Sequence, residues 1–311
     1  MITFGPVPSR RLGRSLGINN IPPKRCTYSC VYCQLGRTRN FVLQRDSFYD
    51  PKEVFREVRD KLKKLQSKGE KVDYLTFVPD GEPTLDSHLG QEIQLLQPLG
   101  KKIAVITNGS LLWREDVRQD LNNSSWVSLK IDSIRKDCWK KIDRPHGKLD
   151  FEKILNGEVE FARSYKGELV TETMLVKGIN DNQEHMEEIA EFIAGLNPSV
   201  AYLAVPTRPP AEQWVQTPDE AFINLAYHVL SQKLKKVELL IKYEGDEFAG
   251  IGDFKSDLMS IASVHPLRKE AIEKILRQNQ LNWSAMEDLI VGGLLKEIKY
   301  QGNVYYLRSF K

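Results

Sequence analysis

The chain has few cysteines, no long apolar run and almost no excess of charge. Four cysteines among 311 residues exclude a disulfide-stapled scaffold and point to reducing surroundings. No apolar segment approaches the roughly 20 residues that a membrane-spanning helix needs. Lysine and arginine number 45 against 42 aspartates and glutamates, a net charge of +3. That excludes a protein coated in basic charge but leaves room for a local patch. Low-complexity tracts are absent and the apolar fraction is ordinary, so disorder is not expected. The opening Met1-Ile2-Thr3-Phe4-Gly5-Pro6 lacks the charged and apolar regions of a signal peptide, and a cytoplasmic protein is expected. The length suits one large domain with a small appendage.

Three of the four cysteines lie together. Cys26, Cys30 and Cys33 form C-x3-C-x2-C within Lys24-Arg25-Cys26-Thr27-Tyr28-Ser29-Cys30-Val31-Tyr32-Cys33. Three thiolates on one short loop suit an iron–sulfur cube with one iron left without a protein ligand, whereas ordinary electron-transfer clusters are closed by four. An open metal position is what a catalytic centre needs. The alternatives are a structural zinc site, which prefers four ligands and has no evident fourth here, and a passive redox cluster. Cys138 stands far downstream without a neighbour.

The run resembles the signature of the radical S-adenosylmethionine (radical SAM) superfamily. The resemblance implies that Cys26, Cys30 and Cys33 hold a [4Fe–4S] cluster, that the methionine end of SAM takes the open iron, and that Tyr32 lies against the adenine. Reductive cleavage of SAM would give a 5′-deoxyadenosyl radical that abstracts hydrogen from a substrate. A low-potential electron donor of flavodoxin or ferredoxin type is the implied partner. Pro8-Ser9-Arg10-Arg11-Leu12-Gly13-Arg14-Ser15-Leu16-Gly17, with Cys30 to Thr38, is similar to the branch that includes the wyosine-type tRNA-modifying synthases. Those enzymes carry a second cluster on further cysteines, and this chain has only Cys138 to spare, so no substrate transfers.

Strand-like and helix-like segments alternate after the cysteine loop. Asp50-Pro51 opens a helix with Val54, Val58, Leu62 and Leu65 on one face. Strands are expected at 16–18, 72–78, 102–107, 126–131, 168–176, 200–205 and 237–241. Helices are expected between them, near 91–96, 114–121, from Asp150, around Met186 to Ile193 and after Thr217. Such alternation indicates a parallel sheet covered by helices. About six βα units resemble the partial (β/α)6 barrel of radical SAM enzymes. Residues 1–245 are expected to form it, with a linker over 246–261. In 262–311, a helix from Pro266, a second near Trp283 to Ile290 and a hairpin at 294–308 resemble a winged-helix module. Such modules bind nucleic acid or recognise proteins, and Glu287 and Asp288 on the second helix are wrong for a phosphate-lined groove.

In parallel sheets reactive groups gather at the C-terminal strand ends. Val78-Pro79-Asp80-Gly81-Glu82-Pro83-Thr84 stands where radical SAM enzymes carry a Gly-Gly-Glu motif for the SAM amino group, with Asp80 replacing the first glycine. Gly81 and Glu82 are the candidates there; a plain solvated turn is the alternative. Asn108, in Thr107-Asn108-Gly109, is either a turn residue or, by the resemblance, faces SAM. Lys130 and Asp132 share a strand face. They meet either SAM or each other. Glu172, within an apolar strand, either reaches the site or pairs with Arg144. Arg144 and Arg208 each precede a proline at a rigid turn and can grip an anion, though either is equally a solvated loop charge. Arg10, Arg11 and Arg14 beside the cluster loop favour an anionic substrate, and so RNA. A peptide substrate read by the C-terminal module is the second possibility, and a cluster-based redox sensor the third.

Overall fold

The computed structural model describes residues 2–241 and 254–309. In chain order the elements are β1 (Thr3–Ser9), β2 (Gly13–Ile18), β3 (Arg25–Cys26), β4 (Asn40–Phe41), α1 (Pro51–Ser67), β5 (Tyr74–Phe77), α2 (Leu89–Leu96), β6 (Lys102–Thr107), α3 (Glu115–Leu121), β7 (Trp126–Lys130), α4 (Lys136–Ile142), α5 (Phe151–Ser164) and β8 (Glu168–Met174). Then follow α6 (Gln183–Leu196), β9 (Val200–Ala204), α7 (Glu220–Lys233), β10 (Val237–Leu240), α8 (Phe254–Val264), β11 (Leu267–Arg268), α9 (Lys269–Gln278), α10 (Ser284–Val291), β12 (Leu295–Tyr300) and β13 (Asn303–Arg308).

Eight strands form one sheet in the order β1-β2-β5-β6-β7-β8-β9-β10. From β2 to β10 every neighbouring pair is parallel, and β1 alone runs antiparallel, against β2. The crossovers are α1, α2, α3, the α4–α5 pair, α6 and α7, so the expected partial (β/α)6 barrel is what forms. Local chemistry starts its helices: the Asp50 carboxylate accepts from Lys52 N–H with Pro51 behind it, and Asp150 accepts from Glu152 and Lys153 N–H. Along α1, Val54, Val58 and Leu65 are fully buried against the sheet, each stabilising by about 2 kcal/mol.

The inner face is packed differently. Ala104, Trp126, Val170, Tyr202 and Leu240, from five strands, form one buried group with Leu12 and no helix residue. They are buried because the sheet curls toward itself and the β1–β2 turn folds into the opening. β1 was not anticipated because Pro6 and Pro8 interrupt it; proline is tolerated on an edge strand, and β1 is the edge.

Residues 246–253 of the expected linker lie outside the described residues; from Phe254 the chain is helical. Phe254, Leu258, Ile261 and Ala262 recur at helical spacing and join the core of the C-terminal part. That part runs α8-β11-α9-α10-β12-β13 with a three-stranded sheet in the order β11-β13-β12. The helix expected from Pro266 begins instead at Lys269, because Leu267 and Arg268 pair with Tyr306 and Tyr305. α8 packs on β1, and Lys61 of α1 meets Asp257 of α8 at 3.1 Å with both side chains nearly buried.

Candidate cofactor site

The cysteines lie on the loop after β2, at the C-terminal end of the parallel strands. Two anchors hold it. β3 pairs with β4, Cys26 opposite Phe41, and the N–H groups of Ser29 and Val31 donate to the carbonyls of Asp143 and Ile142 at the end of α4. Cys26, Cys30 and Cys33 are unpaired and half-buried, and all three line one cavity of about 340 Å³. Asn108 Nδ2 lies 3.6 Å from Cys26 Sγ and 2.8 Å from Thr27 Oγ1. The Cys30 thiol donates to Asp143 Oδ1 at 3.3 Å. Burial, and next the Glu82 charge, pushes the Cys26 thiol up to about 12; burial first also raises Cys30 and Cys33. A metal centre supplies the positive charge that ionises such thiols.

Gly81 and Glu82 form the next wall. A Cβ on Gly81 would stand 1.9 Å from the Arg25 carbonyl oxygen, so only glycine lets the cluster loop approach the end of β5 this closely. Glu82 is buried. Its Oε1 accepts from Thr84 N–H at 3.1 Å, Thr84 Oγ1 at 2.7 Å and Thr107 Oγ1 at 2.6 Å, and its Oε2 accepts from Asn108 N–H at 2.8 Å. The carboxylate thus ties the ends of β5 and β6 together, a task that the motif does not reveal. Asp80, where the motif has glycine, meets Lys24 Nζ at 3.4 Å and accepts Lys24 N–H on its carbonyl at 2.8 Å. The departure fastens the strand end to the cluster loop.

The floor is an ionic ladder across the barrel interior. The Tyr32 hydroxyl donates to Asp132, and Lys130 Nζ lies 4.8 Å from the centre of the Tyr32 ring. Lys130 pairs with Glu172 at 2.6 Å, not with Asp132, which instead accepts Met174 N–H at 2.6 Å. Glu172 also pairs with Arg11, not with Arg144. Burial alone would raise the Glu172 carboxyl, but Lys130 and then Arg11 outweigh it and hold it at about 2.

The three N-terminal arginines do not form a patch. Arg11 is inside the ladder, Arg10 lines the cavity with Nη1 3.5 Å from the Leu239 carbonyl, and Arg14 pairs with Glu70 at 2.6 Å, away from the cavity lining. Arg144 and Arg37 converge on Glu212, at 2.5 and 2.7 Å. Arg208 lines the cavity and donates to Gln34 Oε1 at 2.7 Å. Sequence reasoning missed Asp143, Glu212 and Gln34. Asp143 adjoins the Arg-Pro turn and could have been read with it; Glu212 and Gln34 carry no local signal.

Among the described residues no group of three or more His, Cys, Asp or Glu side chains is arranged for a single metal ion. Three cysteines line one cavity, a donor set that would fit a cube with one open iron. A family model described as the Radical SAM superfamily matches residues 20–193; its members use a [4Fe–4S] cluster and SAM, as the donor set here allows. The chain is 44% identical to a UPF0026 protein of Methanocaldococcus jannaschii over 312 residues, 100% of this chain and 97% of the relative. It is 27% identical over 183 residues, 55% of this chain and 48% of the relative, to a probable dual-specificity RNA methyltransferase, RlmN 2, of Protochlamydia amoebophila. The solved structure of TYW1 with a lysine-pyruvate adduct bound superposes with a TM-score of 0.55 at 16% identity, over 71% of this chain and 74% of that one; that likeness shows the fold. By motif, fold and family match alike, the chain belongs to the radical SAM superfamily, where it groups with the UPF0026 proteins.

Proposed function

We propose that this protein is a radical SAM enzyme acting on RNA, with Cys26, Cys30 and Cys33 holding the cluster and SAM seated between Tyr32, Gly81, Asn108 and Lys130. The observation that carries the reading is that the three thiols and these residues line one cavity. Bound there, the cluster and SAM supply reductive SAM cleavage and hydrogen abstraction, chemistry beyond any side chain. The chain orients and shields. Tyr32, fixed by Asp132 and Lys130, offers a flat face to the adenine. The Gly81 backbone and the Glu82 edge suit an ammonium group. Lys130 and Arg11 set two cations against the single Glu172 carboxylate, so these three groups together can meet an anionic group of the ligand. Met174, Ala204, Val205 and Leu240 keep water out.

RNA is favoured over other substrates by the rim around the cluster loop. Arg37 (side chain 70% exposed), Arg39 and Lys148 face solvent there, with exposed Phe41 against His146 at 6.2 Å between ring centres. Cations interleaved with aromatic rings suit phosphates and unstacked bases. The similarity to an RNA methyltransferase supports the same class. A peptide is the second reading, supported by exposed Glu287 and Asp288 on α10. The test is anaerobic turnover with reductant, SAM and deuterated cellular RNA or deuterated protein. Deuterium reaching 5′-deoxyadenosine from RNA supports the proposal; deuterium from protein alone transfers it to the peptide reading.

A further inference from the structure

The cavity is also lined by Pro206, Thr207 and Arg208, the segment that follows β9. The barrel does not hold this segment alone. The Tyr300 hydroxyl donates to the Pro206 carbonyl at 3.0 Å, and the Tyr305 hydroxyl donates to the Thr207 carbonyl at 3.0 Å. Both tyrosines belong to the C-terminal hairpin. Tyr305 is buried, and its oxygen also accepts from Arg268 Nε at 3.2 Å, so the donated hydrogen is directed at Thr207. The next residue, Arg208, donates to Gln34, the neighbour of Cys33. His265, between α8 and β11, is buried close enough that the Arg208 charge, after burial itself, disfavours its protonation. An unbroken set of contacts thus runs from the module to the residue beside the third cysteine.

We propose that Tyr300 and Tyr305 are positioning residues for the cofactor pocket: they hold Pro206 and Thr207 so that Arg208 closes the pocket against Gln34, which makes the C-terminal module a structural wall of the site. Two carbonyl oxygens on consecutive residues are each capped by a phenol from the same hairpin, and the hydrogen bonds fix the direction of the segment as well as its position. Losing both hydroxyls frees the turn to swing, and Arg208 loses its approach to the cluster loop.

The test uses the full chain with its cluster reconstituted anaerobically. The Tyr300→Phe/Tyr305→Phe double variant is expected to bind SAM about three- to tenfold more weakly by equilibrium dialysis. In hydrogen exchange on the cluster-free protein, the amides of Thr207 and Arg208 are expected to exchange faster. Tyr306→Phe is the control. Its hydroxyl donates to Glu297 inside the module at 2.8 Å and does not touch Pro206 or Thr207, so SAM affinity and exchange at Thr207 and Arg208 should stay as in the parent. Arg208→Gln should weaken SAM binding by a similar factor, and combined with the double variant should add little. Unchanged SAM affinity in the double variant overturns the proposal, as does an equal loss in Tyr306→Phe. If the double variant fails to fold, an unchanged affinity in Arg208→Gln does the same.

Discussion

The cofactor cavity has two walls built in different ways. On one side Gly81, Glu82, Thr107 and Asn108 belong to adjacent parallel strand ends, and a single carboxylate takes four donors to hold them. On the other side Pro206 to Arg208 are braced by tyrosines 94 and 98 residues away in sequence. The first wall comes with the fold, since neighbouring β-strand ends are brought together by the sheet itself. The second depends on a module that has its own buried cluster and packs against β1. Changes in the first wall should therefore disturb cluster and SAM together. Changes in the second should act on SAM while sparing the cluster.

The largest effect belongs to the thiols. Cys26→Ala, Cys30→Ala or Cys33→Ala should abolish the cluster absorbance of anaerobically reconstituted protein, while Cys138→Ala, whose thiol points at the Ile179 carbonyl at 3.7 Å, should leave it intact. Cluster loss in Cys138→Ala would mean that the ligand set is misread. Removal of 254–311 comes next. The sequence alone implies that a barrel lacking 262–311 still folds and cleaves SAM; the packing of α8 on β1 leads to a different expectation for this longer deletion. The deletion takes α8 off β1 and Asp257 away from Lys61, exposes the surface that α8 covers, and unbraces the second wall. A lower melting temperature and weaker SAM binding with retained cluster are expected. Full SAM affinity in the truncated protein would break the comparison.

Smaller still is the effect of opening the ladder. Glu172→Gln takes away the carboxylate that pairs with both Lys130 and Arg11 and should destabilise the chain by about 3 kcal/mol near neutral pH. The Glu172 carboxyl titrates at about 2 in the folded protein, below its unfolded value of about 4.3. Its contribution is therefore complete above the unfolded pKa and is lost as the pH falls toward 2. Denaturant midpoints of the two proteins should stay well separated from pH 7 down to about 5 and converge only in stronger acid. Convergence near neutrality would show that the ladder does not carry the energy assigned to it. The smallest effect is expected from Arg14→Ala, because the Arg14–Glu70 pair is about one-third exposed and such pairs contribute roughly 0–1 kcal/mol. SAM binding and RNA salt dependence should both be unchanged. A flatter salt slope would return Arg14 to the substrate surface.

The contrast between the walls also marks what the sequence carries. The cysteine spacing, the seven parallel strands and the turn at Gly81 and Glu82 are local patterns, and each lies where the sequence places it. Glu82 was legible as a site residue but not as a brace, because its donors Thr107 and Asn108 come from the next strand. Lys130 and Asp132 share a strand face, as alternation requires, yet they choose Glu172 and Tyr32 as partners across the barrel. Arg11 and Arg14 look equivalent in sequence, but the β1–β2 turn folds Arg11 into the barrel and leaves Arg14 outside. The docking of Tyr300 and Tyr305 had no local signal at all, since it depends on how a separate core packs against β1.

The central claim is that three thiols here hold a cube whose fourth iron is open to SAM. Iron analysis joined to electron paramagnetic resonance of the anaerobically reconstituted, dithionite-reduced protein, with and without SAM, tests it most directly. About four irons per chain and a reduced-cluster signal whose g-values shift when SAM is added are the predicted result. Bound zinc in place of iron, or a cluster signal indifferent to SAM, would contradict it.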